Sequence, residues 1–322
     1  MKSQVLQINV GLKMKVNDTL WAQLSDMTPN SLYPVFTTST TDKGFRVVGF
    51  GSTFPVKTLK RDKQYFITNK HVVDTADSII KECQLFFAAM RLYAEQTSFF
   101  RDPEQRFNEV MQTVNIAAKK DRTPSELTTY RQTAEAIWST YEKNLSKQVD
   151  PSRVKFNKYL NQALVSYELG YFLHSPGSVK LPPIVAKLYK AGKGESDPDL
   201  AILSVDRSSV MPFELETQSP SEGQEIQVIG YPMASDQIDA DSRNYYTPTF
   251  NNGRISRVAP RFLQVDAAVT HGNSGGPVVN QKGKVVGIVV NRAMSKGVEL
   301  NNFTGAITVQ SLSGFAPELF VQ

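Results

Sequence analysis

Late in this 322-residue chain a serine stands among glycines, Thr270-His271-Gly272-Asn273-Ser274-Gly275-Gly276-Pro277, ahead of the apolar run Val285-Val286-Gly287-Ile288-Val289-Val290. Glycine on either side lets backbone N–H groups come within hydrogen-bonding distance of a substrate oxygen that side chains would fend off. A serine hydroxyl is a weak nucleophile at neutral pH, so such a site needs a general base, and an imidazole with a pKa of about 6.5 suits. One stands upstream, where the apolar, strand-like Tyr65-Phe66-Ile67-Thr68 runs through Asn69-Lys70 into His71-Val72-Val73. Between the two, Asp197-Pro198-Asp199-Leu200-Ala201-Ile202-Leu203 leads a carboxylate into another run with the character of a buried strand. A carboxylate there would accept the second imidazole N–H and fix the tautomer. Asp197 and Asp199 are rivals for that role. Taken alone, the glycine-rich segment also suits a plain turn of a β-protein, and a single histidine at a strand end also suits a solvated or core-satisfied one.

Histidine, aspartate and serine recur in several chain orders on unrelated folds, and the order here is the one found in chymotrypsin. The segments Thr68-Asn69-Lys70-His71-Val72-Val73, Asp199-Leu200-Ala201-Ile202-Leu203, Ile229-Gly230-Tyr231-Pro232 and Gly272-Asn273-Ser274-Gly275-Gly276-Pro277 resemble the trypsin-like serine proteases, in particular their HtrA-type branch. The resemblance extends over roughly residues 32–80 and 170–312. It implies a mainly β, chymotrypsin-like fold of two antiparallel six-stranded β-barrels. It also implies a serine endopeptidase that works through an acyl-enzyme: Ser274 the nucleophile, His71 the general base, and Asp199, picked out by the Asp-Leu-Ala-Ile-Leu match, orienting the histidine. Gly272 and Ser274 would supply the oxyanion-binding N–H groups. By the same carry-over Ala268 and Val269, five or six residues before the nucleophile, line the pocket for the acyl-side residue of the substrate. Val290, Asn291 and Arg292 pair with substrate backbone and wall the pocket. With no carboxylate to hold Lys or Arg, the expected preference is for small or medium aliphatic residues, Arg292 narrowing the space. Asn273 departs from trypsin, which has an aspartate before its serine. A newly cut N-terminal ammonium would have no partner there, so activation by that route is not expected.

The elements that must position these groups are β-strands. Arg46-Val47-Val48-Gly49-Phe50-Gly51-Ser52-Thr53-Phe54 and Gln64 to Thr68 are rich in aromatic and β-branched residues, as is Leu32 to Phe36, and turn formers separate them. Gly49 and Gly51 have the look of a phosphate loop, but no helix with a Lys-Ser/Thr pair follows; a strand under close backbone approach is the reading adopted. Strands are also expected at 165–173, 183–189, 225–232, 253–256, 262–266, 285–291 and 303–309, with a short helix within 311–320. Residues 16–27 suit a short helix around Leu20, Trp21 and Leu24.

The distance from His71 to Asp199 leaves room for an insertion. Asp102-Pro103, Thr123-Pro124-Ser125-Glu126 and Asp150-Pro151 have the form of helix starts, the second a capping box with proline at the first helical position. Each precedes apolar residues at spacings of three and four, such as Tyr130, Ala134, Ile137, Trp138 and Tyr141. Three one-sided apolar helices need each other, so an all-α helical lobe is expected within the first barrel. The domain reading is therefore 1–83 for the N-terminal segment and first part of barrel 1, 84–167 for the helical insertion, 168–210 for the rest of barrel 1 with the aspartate, and 211–322 for barrel 2 with the nucleophile.

Composition narrows the function classes. Forty per cent apolar content suits a folded chain, and 36 basic against 31 acidic residues, without a long basic run, make a weak case for nucleic acid and none for a membrane surface. A single cysteine, Cys83, excludes an internal disulfide framework and is compatible with a reducing compartment. The first residues lack the apolar core and cleavage site of a signal peptide, and no run approaches the roughly 20 apolar residues of a membrane span. The expectation is a cytoplasmic protein. Thirteen residues follow Val309, too few for the PDZ domain of many HtrA-type relatives. Three scattered histidines and one cysteine have no metal-ligand spacing, so neither metal nor cofactor is expected. His174, in Leu173-His174-Ser175-Pro176-Gly177, reads as a surface residue, and His271 as too near Ser274 to act as its base. The expected partners are a polypeptide substrate and a protein partner or activator at the helical insertion. A protease-like module that binds protein without cleaving it is the alternative, and it requires neither the three chemical groups nor the glycines.

Overall fold

The computed structural model describes residues 4–16, 45–77, 80, 81, 84, 88, 165–178, 180–194, 196–206, 208–232, 245–295 and 298–320. The expected strand at 32–36, the helix at 16–27 beyond Val16, Cys83 and the helical insertion at 84–167, apart from residues 84, 88 and 165–167, lie outside them. The chain falls into two compact units: Met1–Gly11, Val47–Thr75 and Gly170–Gln322 form one, Leu12–Arg46 and Ala76–Leu169 the other. Every candidate site residue belongs to the first.

Fourteen strands are described: β1 Leu6–Val16, β2 Arg46–Val56, β3 Gln64–Thr68, β4 Val165–His174, β5 Gly177–Ser178, β6 Ile184–Ala191, β7 Ala201–Val205, β8 Glu225–Gly230, β9 Tyr245–Tyr246, β10 Thr249–Val258, β11 Phe262–Val265, β12 Pro277–Asn280, β13 Val285–Ser295 and β14 Val298–Thr308. Three short helices accompany them: α1 Lys70–Val73, α2 Val309–Phe315 and α3 Pro317–Phe320. Two closed barrels result, the first in the order β1-β2-β3-β7-β6-β4 and the second β10-β11-β14-β13-β12-β8, with β5 and β9 as a separate pair. The fold is mainly β, six strands to a barrel. Among the described residues no helix is long and apolar enough to cross a membrane.

Two barrel strands are additions to the sequence reading. β1 shows the alternation of a half-buried strand, Leu6, Ile8, Val10 and Leu12 all buried. β12 is four residues long and buried at every position, so period two is not visible in it. β4 begins at Val165, taking three residues from the segment assigned to the insertion. β3 and β7 pair over their whole length, from Gln64 with Val205 to Thr68 with Ala201. That ladder delivers the ends of both strands to one place. Thr68 leads into α1, and Ala201 follows the Asp199 turn.

An apolar cluster joins the two barrels: Phe54, Val56, Tyr65, Ile67 and Ile202 from the first meet Ile229, Val279, Val285 and Ile288 from the second. Phe213, on the connecting segment, is its keystone. Its ring meets Phe54 edge-on at 5.6 Å, and its backbone bonds Pro55 and Lys57 on either side. Burial of one such side chain contributes about 1.5–3 kcal/mol. A second cluster, including Val228, Leu263, Val265, Val278 and Ala306, fills the second barrel.

Candidate active site

His71 does not end a strand. β3 stops at Thr68, and His71 lies in the first turn of α1, where Asn69 has extended backbone geometry and Asp74 N–H closes the turn onto Lys70 O at 2.9 Å. The turn aims the imidazole at Asp199. His71 Nδ1 is 2.6 Å from Asp199 Oδ2, and His71 N–H donates to Asp199 Oδ1 at 2.9 Å. Asn69, wholly buried, donates through Nδ2 to the Asp199 carbonyl at 2.9 Å. Burial pushes the Asp199 carboxyl up, but the hydrogen bonds and charge of His71, with Lys70 nearby, outweigh it and hold Asp199 below its ordinary value. It is a carboxylate at neutral pH. Asp197 is engaged elsewhere: its Oδ2 accepts from Lys193 N at 2.6 Å and closes the preceding turn.

Ser274 sits where backbone, rather than side chains, controls position. Gly272 and Gly275 have φ of 96° and 83°, the left-handed region that favours glycine. A side chain at Gly275 would collide with the Ser52 carbonyl and the Thr68 hydroxyl, and one at Gly276 with the Ile229 carbonyl. Gly51 meets the same loop from the first barrel: a Cβ there would lie 3.0 Å from Ser274 O and 2.9 Å from Val72 Cγ2. This is a strand under close backbone approach, and a phosphate loop is not formed.

Successive peptide planes of the loop are pinned. Asn273 N donates to Thr270 O (3.1 Å), Gly275 N to Val289 O (2.9 Å), and Gly276 N to Asn273 O (2.9 Å). Among the described residues the N–H groups of Gly272 and Ser274 have no acceptor. They are available to a negatively charged oxygen. The Ser274 hydroxyl donates to Val290 O at 3.1 Å, and no hydrogen bond joins it to His71. Val290 is where the β13–β14 register slips, between Val289 and Asn291, so its carbonyl stands outside the ladder.

Of the candidate pocket residues, Ala268 is exposed and Val269 is buried in the core of the second barrel. Asn291 and Arg292 are placed by the backbone of β13, opposite Gly305 and Thr304. His174, expected on the surface, is half-buried and stacks on Tyr246 at 4.4 Å between ring centres. Burial takes its pKa down to about 4, so it is neutral at pH 7. Among the described residues no group of three or more His, Cys, Asp or Glu side chains could hold a metal ion.

Ser52 and Asn69 were not singled out from sequence. Ser52 is entirely buried; its Oγ donates to Gly272 O at 2.7 Å and accepts from Tyr231 N at 2.9 Å. The available signal was the run Gly51-Ser52-Thr53, small and polar in the middle of a barrel strand.

Residues 175–288 match the family model of the trypsin-like peptidase domain, a span that holds Asp199 and Ser274 and leaves His71 upstream. A putative serine protease, HhoB, from Synechocystis sp. is 30% identical over 131 residues, covering 38% of this chain and 29% of that protein. A probable periplasmic serine endoprotease, DegP-like, from Rickettsia prowazekii is 30% identical over 120 residues, 34% of this chain and 22% of that protein. The chain thus spans less than a third of the length of these curated relatives. The crystal structure of a serine endoprotease from Yersinia pestis aligns with a TM-score of 0.45 and 15% identity, covering 98% of this chain and 62% of that one.

Proposed function

Starting from a chain that carries a trypsin-like peptidase domain, we propose that it is a serine endopeptidase with Ser274, His71 and Asp199 as its catalytic groups. The observation that carries the reading is a pair of arrangements: an imidazole held by a carboxylate through Nδ1, and a serine on a glycine loop where, among the described residues, two N–H groups have no acceptor. With Nδ1–H donated to Asp199, the neutral ring keeps its lone pair on Nε2, the nitrogen a general base needs. In the reaction the Ser274 hydroxyl leaves Val290 O and gives its proton to His71 as Oγ attacks the substrate carbonyl. Asp199 stabilises the imidazolium. The N–H groups of Gly272 and Ser274 receive the oxyanion, a contribution of about 10²–10³ in kcat per donor. The imidazolium then returns its proton to the leaving amine, and water, activated by the same histidine, releases the acyl group.

The proposal extends to cleavage after small or medium aliphatic residues, on the strength of the exposed Ala268, of Arg292 in the sequence and of the absence of a carboxylate at these positions, Val269 being taken up by the barrel core. A peptide-library profile dominated by Lys, Arg or large aromatics would overturn that part. Action in a reducing compartment, the cytoplasm, rests on the single cysteine; recovery of the native protein from the periplasmic fraction would overturn it.

A non-cleaving, protein-binding reading draws on one observation, the Ser274 hydroxyl turned to Val290. Labelling by a fluorophosphonate probe, with Ser274→Ala as control, separates the two. Labelling that the substitution abolishes supports the peptidase; a folded protein that takes no label supports the binding module.

A further inference from the structure

We propose that Ser52 is a positioning residue that fixes the direction of the Gly272 and Ser274 N–H groups. Ser52 belongs to β2 of the first barrel, and it engages the nucleophile loop of the second through backbone and side chain together. Its N–H donates to Ser274 O at 2.8 Å, its Oγ–H to Gly272 O at 2.7 Å, and its Oγ accepts from Tyr231 N at 2.9 Å. Its own carbonyl accepts from Thr68 Oγ1 at 2.9 Å. The hydroxyl's one proton and one of its lone pairs are both committed, inside a site without solvent exposure.

The consequence follows from the planarity of the peptide unit, which sets N–H and C=O on opposite sides. Carbonyls 272, 273 and 274 are each held, by Ser52 Oγ, Gly276 N and Ser52 N. The 273–274 peptide, which carries the Ser274 N–H, is held at its own carbonyl by Gly276 N and lies between the two that Ser52 holds. Holding Gly272 O sets ψ at Gly272, a left-handed residue that as glycine would otherwise turn with little hindrance. Within the loop Thr270 Oγ1 donates to His271 O at 3.4 Å and Ser274 Oγ to Val290 O at 3.1 Å, while among the described residues the buried Asn273 amide has neither Oδ1 nor Nδ2 bonded. To these holds Ser52 adds its own from across the barrel interface, fixing the peptides on either side of the one that carries the Ser274 N–H.

This inference rests on the peptidase reading for its kinetic readout and on neither substrate nor turnover for its structural one. The substitution Ser52→Ala leaves Gly272 O and Tyr231 N–H buried without partners. It is expected to lower kcat on a small chromogenic peptide by about 10²-fold, the scale of an ångström-level misplacement, with KM little changed. Inhibition by a matched peptide boronic acid, whose tetrahedral adduct places an oxygen on the two N–H groups, should weaken by a similar factor. Binding of the cleaved product peptide should not change. Ser52→Cys, which keeps a weak S–H donor, should fall between and guards against a poorly folded alanine variant.

The control is Thr53→Val, one residue along the same strand, which removes a buried hydroxyl bond to Ile67 O away from the loop. It should cost stability and leave kcat and boronate affinity alone. Wild-type kcat and boronate affinity in Ser52→Ala, or an equal loss in Thr53→Val, would overturn the proposal. Amide NMR resonances of Gly272 and Ser274 read the same hold without turnover. They should shift in Ser52→Ala and stay in Thr53→Val; unmoved amides would also overturn it. Shifted amides in a wild type inert to the fluorophosphonate probe would keep the positioning role and reject the peptidase reading.

Discussion

The proposed base and the proposed nucleophile are held by opposite means. On the first barrel, His71 and Asp199 meet through side-chain and main-chain hydrogen bonds of 2.6 and 2.9 Å, with Asn69 holding the Asp199 carbonyl. On the second, Ser274 is placed by backbone: left-handed glycines, pinned peptide planes and strand neighbours too close to admit a Cβ. The first arrangement depends on which functional groups are present. The second depends on which are absent. It follows that the base side should respond to changes of hydrogen-bonding character at constant shape, and the nucleophile side to the addition of a single methyl.

Several substitutions test that contrast. Removing the reacting oxygen, Ser274→Ala, should lower kcat by about 10⁶-fold and abolish fluorophosphonate labelling, while a thermal melt stays close to that of the wild type. Asp199→Asn preserves shape and changes donor pattern; a fall in kcat of about 10⁴-fold is expected from the wrong histidine tautomer. Loss of only a few-fold would mean that the base side is held by packing, and the contrast would fail. Gly275→Ala adds one methyl at φ 83° against the Ser52 carbonyl. It should cost more than about 2 kcal/mol in denaturant unfolding and about 10²–10³ in kcat through the spoilt N–H pair. A variant as stable and active as the wild type would show that the loop is not under backbone control. Asn69→Ala leaves the Asp199 carbonyl without its donor and should cost about 1–3 kcal/mol, with a smaller loss of activity than Asp199→Asn.

The mildest effect is one of pH. The folded Asp199 carboxyl lies below its ordinary value of 3.8, so its charged form is favoured by folding. That stabilisation is complete above the unfolded pKa and is lost as pH falls through the folded one. The melting-temperature difference between wild type and Asp199→Asn should therefore be steady from neutral pH down to about pH 5 and shrink below about pH 4. A difference that persists unchanged in acid would detach the carboxylate charge from the stability of the pair.

How far the sequence made this legible depends on the range of each interaction. β3 was legible because aromatic and β-branched residues fill Tyr65 to Thr68, though its end at Thr68 was not. β1 carries its signal in the alternation of Leu6, Ile8, Val10 and Leu12. β12 carries none: four consecutive buried residues have no period. His71 reads from sequence as the end of a strand because the four-residue helix that holds it leaves no repeat to detect. Three of the chemical groups announce themselves through local motifs. Ser52 does not, since its partner Gly272 lies 220 positions away, and only the folded chain brings them together. His174 shows the same limit. Its local Ser-Pro-Gly setting suggests exposure, and the stack on Tyr246 that half-buries it is formed by a distant strand.

The strand order of the two barrels also bears on how the chain is made. Barrel 2 is assembled from strands that all lie between Glu225 and Thr308, whereas barrel 1 closes β1, at Leu6–Val16, with strands running as far as Val205. During synthesis the first barrel must wait, open, until Val205 has been translated, and non-local closure of this kind is intrinsically slow. The serine emerges later still, and its loop takes shape only against a strand of the barrel that was waiting. A chain in which only the first barrel has closed thus holds the histidine–aspartate pair before the proposed nucleophile has its loop.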